Sequence, residues 1–423
     1  MNLFFFIMVV IAFAVTAVRQ FGWLPGSGDS PMQMLTNGMV ESATNSVTLS
    51  IGMVGVMALF LGLMKVAEEG GLLTMLARLI RPLMVRLFPD VPADHPAMGA
   101  MILNLSANAL GLGNAATPFG IRAMKELERL NPSPGTATNA MALFLAINTS
   151  SVTLVPTSVI ALRASVGSAD PAAILSTTLF ATFFSTSVAI LATKLLQNFS
   201  PPPAPCATVP DGPLDRDPTM QVTGGYPLWV SVTALLVLIG LIPVTILYGR
   251  AISPWVLPAL MTGMLAFGHL RRVPVYEVFV EGAREGFEVG VRIIPYLVAI
   301  LVAVGMFRAS GALGYFTDFV GPVTAGIGLP ADALTMAILR PLSGSGAQGY
   351  LASLLQNPAI GPDGYIGMLT STLQGSSETT FYILAVYYGA IRIRRIRHTL
   401  AAALIGDLAG IVAAVFICAL LYG

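Results

Sequence analysis

Four short polar clusters interrupt the long apolar stretches of this chain, and their side chains are of the types that bind polar solutes. They read NLSANALGLGN at 104–114, NTSSVT at 148–153, RPLSGSGAQG at 340–349 and QGSSET at 374–379. Amides, hydroxyls and a carboxylate can exchange hydrogen bonds with a polar solute. In hydrocarbon such groups are costly to bury unless they are paired or wetted. The clusters therefore predict a polar cavity inside a membrane-embedded fold.

Glu378 is the acidic residue of these clusters, and we expect it to face the cavity with the hydroxyl-bearing residues beside it. The asparagines are more informative than the serines and threonines, because a hydroxyl can bond to a carbonyl of its own helix. Close helix packing by small residues is a structural alternative for SGSGAQG at 343–349. The candidate solute-binding residues are Asn104, Ser106, Asn108, Asn114, Asn148, Thr149, Ser150, Ser151, Arg340, Ser343, Ser345, Gln348, Gln374, Ser376, Ser377, Glu378 and Thr379.

The charged residues among the apolar runs also have structural interpretations. Glu378 could form a buried structural ion pair with Arg340, and it could combine that pair with solute binding. Asp407 in LIGDLAG is expected to be a partner of a neighbouring helix. Lys194, near the end of an apolar run, is expected to snorkel toward the membrane interface.

Catalysis and metal binding are not predicted. The chain has no G-x-S-x-G at a strand-to-helix turn, no H-E-x-x-H and no G-x-x-x-x-G-K-[ST]. Its two cysteines and three histidines have no zinc-type spacing, and a structural disulfide is not expected. A buried glutamate without a partner base or metal does not make a catalytic site. We therefore expect neither a cofactor nor an enzymatic activity.

The composition is that of a membrane protein. Hydrophobic residues make up 55% of the 423 residues and charged residues only 10%, and the mean hydropathy is +0.79. Five apolar runs are long enough to cross a bilayer as helices. The net charge of +1 gives no reason to expect nucleic acid; the expected partners are the lipid bilayer and a small polar solute or ion, and a homo-oligomer is possible. The runs are 1–18, which we interpret as a retained span, 46–64, 172–193, 228–247 and 399–422.

The chain also repeats itself. VESA at 40–43 recurs as VEGA at 280–283, and NPSPG at 131–135 recurs as NPAIG at 357–361, in the same order. Leu105-Ser106 matches Leu342-Ser343, and Ser150-Ser151 matches Ser376-Ser377. The matches predict two tandem homologous repeats, each with helices broken by Gly, Ser, Asn and Pro. The predicted modules are a first repeat at 1–199, a Pro/Gly/Asp-rich linker at 200–225 and a second repeat at 226–423.

Basic residues near the segment ends predict the orientation of these repeats. RIRRIR at 392–397 and Arg122, Lys125 and Arg129 before residue 136 favour the cytoplasmic side. Residues 136–163 would then run outward and residues 364–391 inward, which predicts an inverted topology. The simplest count of crossings places the basic residues of the amphipathic stretch 72–88 outside, against this rule. The alternative is that this stretch and its counterpart 312–328 lie in the membrane interface, which leaves the number of crossings per repeat open.

The clusters and their flanks resemble a known group of membrane proteins. MILNLSANALGLGNAATPFGIRAMKEL and TNAMALFLAINTSSVTLVPTSVIALRA resemble spore maturation protein A. LPADALTMAILRPLSGSGAQGYL and STLQGSSETTFYILAVYYGAIRIRRIRHTLAAAL resemble spore maturation protein B. The chain looks like a natural fusion of the two. Both belong to the gate, or nucleoside-recognition, group, whose relatives include parts of concentrative nucleoside transporters and the membrane region of ferrous-iron transport protein B.

The resemblance implies a helical fold with re-entrant or broken helices around a polar centre, in the bacterial cytoplasmic (inner) membrane. Two functions follow as hypotheses. The first is a secondary transporter or channel-like carrier of a small polar or ionic solute, nucleoside-like solutes included, with its site between the repeats. The second is a non-transporting scaffold or regulator in envelope or spore-cortex maturation, in which the polar clusters pack dry against each other.

Overall fold

The described part of the chain is helical. A computed structural model describes residues 2–24, 28–111, 113–201, 224–312, 314–315, 324 and 326–423. Within these ranges the chain forms 15 α-helices and one short 3-10 helix, with no β-strand. The predicted all-α fold is thereby confirmed.

The first half contains two long helices separated by shorter ones. Ser30 and Thr138 cap the second and sixth helices, because their side-chain oxygens accept hydrogen bonds from backbone N–H groups three residues later. The helices are α1 Asn2–Phe21, α2 Pro31–Glu69, α3 Leu72–Leu87, α4 Pro96–Ala109, α5 Gly113–Arg129, α6 Asn139–Ser150, α7 Thr157–Ser165 and α8 Ile174–Leu196, extended by the 3-10 helix Gln197–Phe199.

The second half repeats the order of a long helix, a pair of short helices, a broken segment and a second long helix. Most of 312–328, the amphipathic counterpart of 72–88, and most of the predicted linker lie outside the described residues. The division of the chain into two modules and a linker stays a prediction. The helices are α9 Leu228–Leu270, α10 Val275–Ala309, α11 Ala331–Leu342, α12 Gly344–Leu355, α13 Tyr365–Gly375, α14 Thr380–Ala390 and α15 Thr399–Tyr422.

Four of these helices are long and apolar enough to cross a membrane: α2, α8 with its 3-10 extension, α10 and α15. Large apolar side chains cover the outside of the protein, for example Phe6 at 63%, Trp255 at 74% and Phe416 at 59% exposure. A soluble surface rarely exposes such contiguous apolar groups, whereas lipid solvates them. The protein is a multi-pass membrane protein.

The long helices α2 and α10 lie against each other in opposite directions through glycines. A Cβ added at Gly282 would lie 2.6 Å from the carbonyl oxygen of Leu61, and one added at Gly290 would lie 2.7 Å from Val54. Gly286 lies between them on the same face of α10. Small residues at a four-residue spacing allow helix backbones to approach closely in membranes. This contact joins a long helix of the first half to a long helix of the second.

The broken segments α6–α7 and α13–α14 lie antiparallel. In the last turn of α7, the buried guanidinium of Arg163 donates to Asp363 Oδ1 at 3.0 Å and to the carbonyl of Pro362, just before α13 begins. At the opposite end, Ala137 N donates to the carbonyl of Arg395 at 2.9 Å, which joins the start of α6 to the end of α14. The contacts agree with opposite directions for these two segments, while the inverted relation of the whole repeats stays a prediction.

Helix α3 lies along one end of the molecule without crossing it. Its last residue, Leu87, accepts a hydrogen bond from Lys194 Nζ at 3.1 Å, and Met75 near its start contacts Arg271. Lys194 is at the end of α8, so both ends of α3 are at the same face as residues 392–397. The count that placed the basic residues of 72–88 on the other side is therefore wrong, because α3 does not reverse the direction of the chain. We name this face the basic end; its residues include Arg78, Arg81, Arg86, Arg129, Arg271, Arg392, Arg394, Arg395 and Arg397.

We expect the basic end to be cytoplasmic, because Lys and Arg near span ends are retained on that side. In a Cys206→Ser/Cys418→Ser background, Asp94→Cys places a thiol at the basic end and Asp29→Cys places one in the α1–α2 connection at the other end. A membrane-impermeant maleimide added to intact cells should label the residue-29 thiol, and should reach the residue-94 thiol only after permeabilisation. The reverse labelling pattern would contradict this orientation.

Candidate functional site

A cavity of about 620 Å³ lies where the short helices of both halves meet the long helices. Its wall includes Met57 and Leu61 of α2 and Val289 of α10. The remaining wall comes from the ends of α4, α7, α11, α12, α13 and α14. Both halves of the chain thus contribute to one cavity.

The two helix breaks cross beside this cavity. Helix α6 ends at Ser150 and α7 begins at Thr157, and Pro156 before α7 lacks the N–H that a continuous helix requires. Helix α13 ends at Gly375 and α14 begins at Thr380. The breaks are joined directly, since the backbone N–H of Glu378 donates to the carbonyl of Thr149 at 2.8 Å. Broken helices persist in a membrane where they are buried or line a polar cavity.

Helices α4 and α5 form a first hairpin, and α11 and α12 form a second; the tip of each hairpin requires glycine. Gly111, after α4, has φ +78°, and a Cβ there would lie 2.8 Å from the carbonyl oxygen of Val155. At the start of α12, a Cβ on Gly344 would lie 2.6 Å from Thr379 Oγ1. Ser343 caps α12 by accepting from Gly346 N at 3.0 Å. Each hairpin tip therefore approaches the broken segment of its own half.

Arg340 and Glu378 form the charged part of the cavity wall. Arg340 Nη2 lies 3.8 Å from Glu378 Oε2, its Nη1 donates to Thr379 Oγ1 at 3.2 Å, and its Nη2 also donates to the carbonyl of Ser377. The Arg340 side chain is 9% exposed and that of Glu378 is 43% exposed. Arg340 is thus fixed in the wall, while the Glu378 carboxylate both approaches Arg340 and remains accessible from the cavity.

The structure brings together about half of the predicted site residues. They lie at the end of α4, around the turn between α11 and α12, and at the break between α13 and α14. The ones that line the cavity are Asn108, Arg340, Ser343, Ser345, Gln348, Gln374, Ser377, Glu378 and Thr379. The side chain of Asn114 lies outside the described residues. The ones that are not part of the wall are Asn104, Ser106, Asn148, Thr149, Ser150, Ser151 and Ser376.

The two buried asparagines outside the wall, Asn104 and Asn148, make hydrogen bonds within the protein. Asn148 Nδ2 donates to the carbonyl of Phe144 at 2.9 Å, and its Oδ1 accepts from Asn108 Nδ2 at 2.9 Å. Asn148 therefore orients the cavity-lining Asn108 from behind. Asn104 Nδ2 donates to the carbonyl of Ala116 and to the Tyr387 hydroxyl at 2.8 and 3.1 Å. Neither asparagine is part of the cavity wall, because helices α4 and α6 turn both side chains inward, and their contact with a solute stays a prediction.

The hydroxyl-bearing residues outside the wall mostly bond to their own helices, as the structural alternative predicts. Thr149 and Ser150 donate to the carbonyl of Ala146, and Ser376 donates to that of Leu373. Ser151, next to the first break, is buried. Buried Ser106 likewise does not reach the cavity; its Oγ has no hydrogen-bond partner among the described residues.

Four polar or aromatic residues of the wall were not predicted as site residues: Thr153, Thr157, Ser158 and Tyr382. Thr153 belongs to the quoted cluster NTSSVT, and Thr157 and Ser158 directly follow Pro156 in the first turn of α7. Tyr382 lies one helical turn after Glu378. Thr157, Ser158 and Tyr382 all lie in the first turn of the helix that follows a break, so selecting polar and aromatic residues there would have found them; Thr153 lies within the first break. In the part of the chain that the structure describes, no group of three or more His, Cys, Asp or Glu side chains could hold a metal ion.

A family model described as nucleoside recognition (Gate) matches residues 50–199 and 290–394, which is more than half of the chain. The chain belongs to this family. Its two matched segments contain the first and the second pair of polar clusters. The gate-type assignment made from the motifs is confirmed.

Two proteins of Bacillus subtilis (strain 168) are similar to parts of this Gate-family chain. Spore maturation protein B is 44% identical over 167 residues, which cover 40% of this chain and 93% of that protein. Spore maturation protein A is 45% identical over 160 residues, which cover 38% of this chain and 82% of that protein. A solved structure of CNTnw in an inward-facing substrate-bound state aligns with 98% of this chain and 90% of that one, at a TM-score of 0.47 and 14% identity. The predicted resemblance to both spore maturation proteins is confirmed.

Proposed function

We propose that the protein is a secondary transporter or channel-like carrier of a small polar or ionic solute in the bacterial cytoplasmic membrane. The observation that supports this function is the cavity of about 620 Å³, which is lined by polar side chains from both halves of the chain. Its volume falls in the range of roughly 300–1,000 Å³ that ligand pockets occupy. Paired broken helices around one polar cavity are the arrangement by which helical transporters bind solutes.

The cavity chemistry favours a solute with several hydrogen-bonding groups. Glu378 offers an accessible carboxylate, while Asn108, Gln348 and Gln374 offer amides that both donate and accept. Tyr382 adds an aromatic ring to the wall, which suits a flat apolar part of the solute. Nucleosides combine a ring with hydroxyl and amide groups, and the family description names their recognition, so they are the first class to test.

The scaffold hypothesis predicts polar clusters that pack dry against each other. A cavity bordered by Asn108 of the first half and by Arg340, Gln374 and Glu378 of the second half counts against that prediction. The proposal assigns solute binding and no chemical step to these residues. The absence of a nucleic-acid partner and the formation of a homo-oligomer stay predictions.

Glu378→Gln should abolish solute-dependent stabilisation, because the amide lacks the charge while preserving the size of the side chain. The purified protein is heated in detergent with uridine, adenosine, glycine, glutamate, citrate, Mg²⁺ or Fe²⁺, and the unfolding midpoint is compared with that of the protein alone. A solute at about 100 times its Kd stabilises the native state by about 2.7 kcal/mol, which is several degrees in a protein that unfolds cooperatively.

Glu281→Gln, the same change on the exposed surface of α10, is the matched control and should keep the full solute-dependent shift. A shift that is lost in the Glu378 variant and kept in the Glu281 variant would support a solute site at the second break. An equal shift in both variants would remove Glu378 from the site. No shift with any of these compounds, together with a Glu378 variant less stable than wild type, would favour the scaffold hypothesis.

A further inference from the structure

Asp407 is a buried carboxyl group in the middle of the membrane-crossing helix α15. Its residue is 6% exposed. One carboxylate oxygen, Oδ2, accepts a hydrogen bond from Thr380 Oγ1 at 2.6 Å, whereas Oδ1 has no hydrogen-bond partner among the described residues. An ionised carboxylate with an unpaired oxygen is strongly disfavoured in a low-dielectric interior. The geometry therefore leaves one oxygen of Asp407 free to take a proton.

A second, much smaller cavity connects Asp407 to the wall of the solute cavity. Its volume is about 10 Å³, and its wall includes Asp407, Arg340, Ser376 and Ser377. This is close to the space that one water molecule requires. Arg340 also borders the 620 Å³ cavity, and its Nε has no hydrogen-bond partner among the described residues. Arg340 thus separates two carboxyl groups, with Glu378 on the side of the large cavity and Asp407 on the side of the small one.

Other titratable groups around α15 have partners elsewhere. Helix α15 packs against α6, α8, α13 and α14, and α6 has no titratable side chain. The groups on the other three helices are Lys194, bonded to Leu87; Tyr365, bonded to Gly328; Tyr382, in the wall of the large cavity; Tyr387, bonded to Asn104; and Tyr388, bonded to Thr399. Among the described residues, Arg340 of α11, which shares the wall of the small cavity with Asp407, is therefore the cation placed to neutralise it.

The cluster contains one positive and two negative groups. With Glu378 and Asp407 both ionised, the charges of Arg340 and the two carboxylates leave a net charge of −1 in a buried place. A proton on Asp407 Oδ1 makes the cluster neutral, which a low dielectric favours. The cluster is thus suited to bind a single exchangeable proton.

The first repeat has no such cluster. The match of Leu105-Ser106 with Leu342-Ser343 places Leu103 opposite Arg340, and the match of Ser150-Ser151 with Ser376-Ser377 places Val152 opposite Glu378. Helix α8, the counterpart of α15, contains no acidic residue. The charges are therefore not needed for the packing that the two repeats share. An intramembrane ionisable group without such a need is a functional candidate.

We propose that Asp407 is an intramembrane proton-binding site that is coupled to the solute cavity through Arg340. Protonation forms the Oδ1–H bond and takes one proton from the solution, and release of that proton restores the carboxylate. A solute that engages Glu378 withdraws it from Arg340, which then pairs with the ionised Asp407. By linkage, solute binding and proton binding affect each other equally. The coupling rests on the proposed function, whereas the proton site itself does not.

The test is infrared difference spectroscopy of the full-length protein in lipid vesicles, between acidic and alkaline media. Wild type should show a carbonyl-stretch band of a buried protonated carboxylic acid that disappears on raising the pH. Asp407→Asn should lose this band, since the amide keeps the acceptor for Thr380 and has no acid proton. Asp29→Asn removes an exposed carboxyl group outside the helices and is the matched control, which should keep the band.

Two further variants keep the test decisive if Asp407→Asn does not fold. Asp407→Glu should keep the band at a shifted frequency, and Thr380→Val should shift it because the hydrogen bond to Oδ2 is lost. Absence of the band in wild type, or a band unaffected by every change at 407 and 380, would overturn the proton site.

The solute function and the proton site can fail separately. The unfolding midpoint is measured with uridine and the other compounds named above, at the acidic and alkaline pH of the infrared test. A solute shift that depends on pH in wild type and not in the Asp407→Asn variant supports the coupling. A shift with the same pH dependence in both proteins overturns the coupling and leaves the solute site intact. An Asp407-dependent band without any solute shift supports the proton site and contradicts the proposed solute function.

Discussion

Arg340→Met will lower the stability of the protein strongly and abolish any solute-dependent stabilisation. The guanidinium is buried, it is the cation between Glu378 and Asp407, and it donates to Thr379 and to the carbonyl of Ser377. Removal of one partner from a fully buried ion pair costs about 3–5 kcal/mol; because the Glu378 side chain is 43% exposed, we expect a smaller loss of about 1–3 kcal/mol from the unsatisfied groups that remain. Thermal unfolding in detergent measures the first effect, and the solute comparison described above measures the second.

A double variant separates the charge of Arg340 from its size and hydrogen bonds. Arg340→Met/Asp407→Asn removes a carboxylate together with its cation, so it should be less destabilised than the sum of the two single variants. Couplings between contacting residues are about 0.5–3 kcal/mol. Arg308→Met, on the exposed surface of α10, is the control and should change stability by less than about 1 kcal/mol. Strictly additive effects at 340 and 407 would show that the two side chains are not coupled.

Gly and Pro at 104–114 and 340–349 predicted breaks where the chain turns between short helices, whereas the breaks at 151–156 and 376–379 were not located from sequence although their causes are equally local. Pro156 cannot continue the hydrogen bonding of α6, and the Gly-Ser-Ser run at 375–377 weakens the helix at the end of α13. The polar clusters at matching places predicted a cavity that the two repeats share. The hydrogen bond from Glu378 N to the carbonyl of Thr149 joins the two breaks beside that cavity.

The members of the cavity wall could be predicted only in part, and α6, which has no exposed side, shows the reason. Ten or more consecutive residues of α6 are buried, so its hydrophobic pattern does not indicate which face contains Asn148 and which faces the cavity. Asn108 and Asn148 have the same chemistry in sequence, but α4 places the first in the wall and α6 places the second behind it. Long-range packing decides between them.

Asp407 illustrates the same limit for charges. Its sequence context, LIGDLAG, predicts a helix partner, and Thr380 is such a partner. The small cavity that it shares with Arg340 depends on how α11 lies against α15, which no local pattern specifies. The placement of α3 stayed open at the level of sequence for a related reason, because a helix of its length can cross a thin part of a bilayer or lie along its surface.

Gly286→Val will destabilise the contact between α2 and α10 and displace a wall of the solute cavity. A Cβ at residue 286 would lie 2.6 Å from the Cα and 2.8 Å from the N of Ala58, and these are backbone atoms that cannot rotate away. The helices must therefore separate, and overpacking of this kind costs about 1–3 kcal/mol or more. Met57, which is next to Ala58 on α2, lines the cavity, and so does Val289, three residues after Gly286 on α10. Solute-dependent stabilisation should therefore weaken along with thermal stability.

Gly263→Val on α9 is the matched control, since a Cβ at that position has no atom within 4 Å. It makes the same change of residue in an exposed membrane helix and should leave both measurements near wild type. A milder variant, Gly286→Ala, adds only the Cβ that clashes and should show the same effects in smaller degree. If the 286 and 263 variants unfold at the same temperature, α2 and α10 do not depend on the close backbone contact. Because that contact joins a long helix of the first half to one of the second, its loss would separate the parts of the chain that enclose the cavity between them.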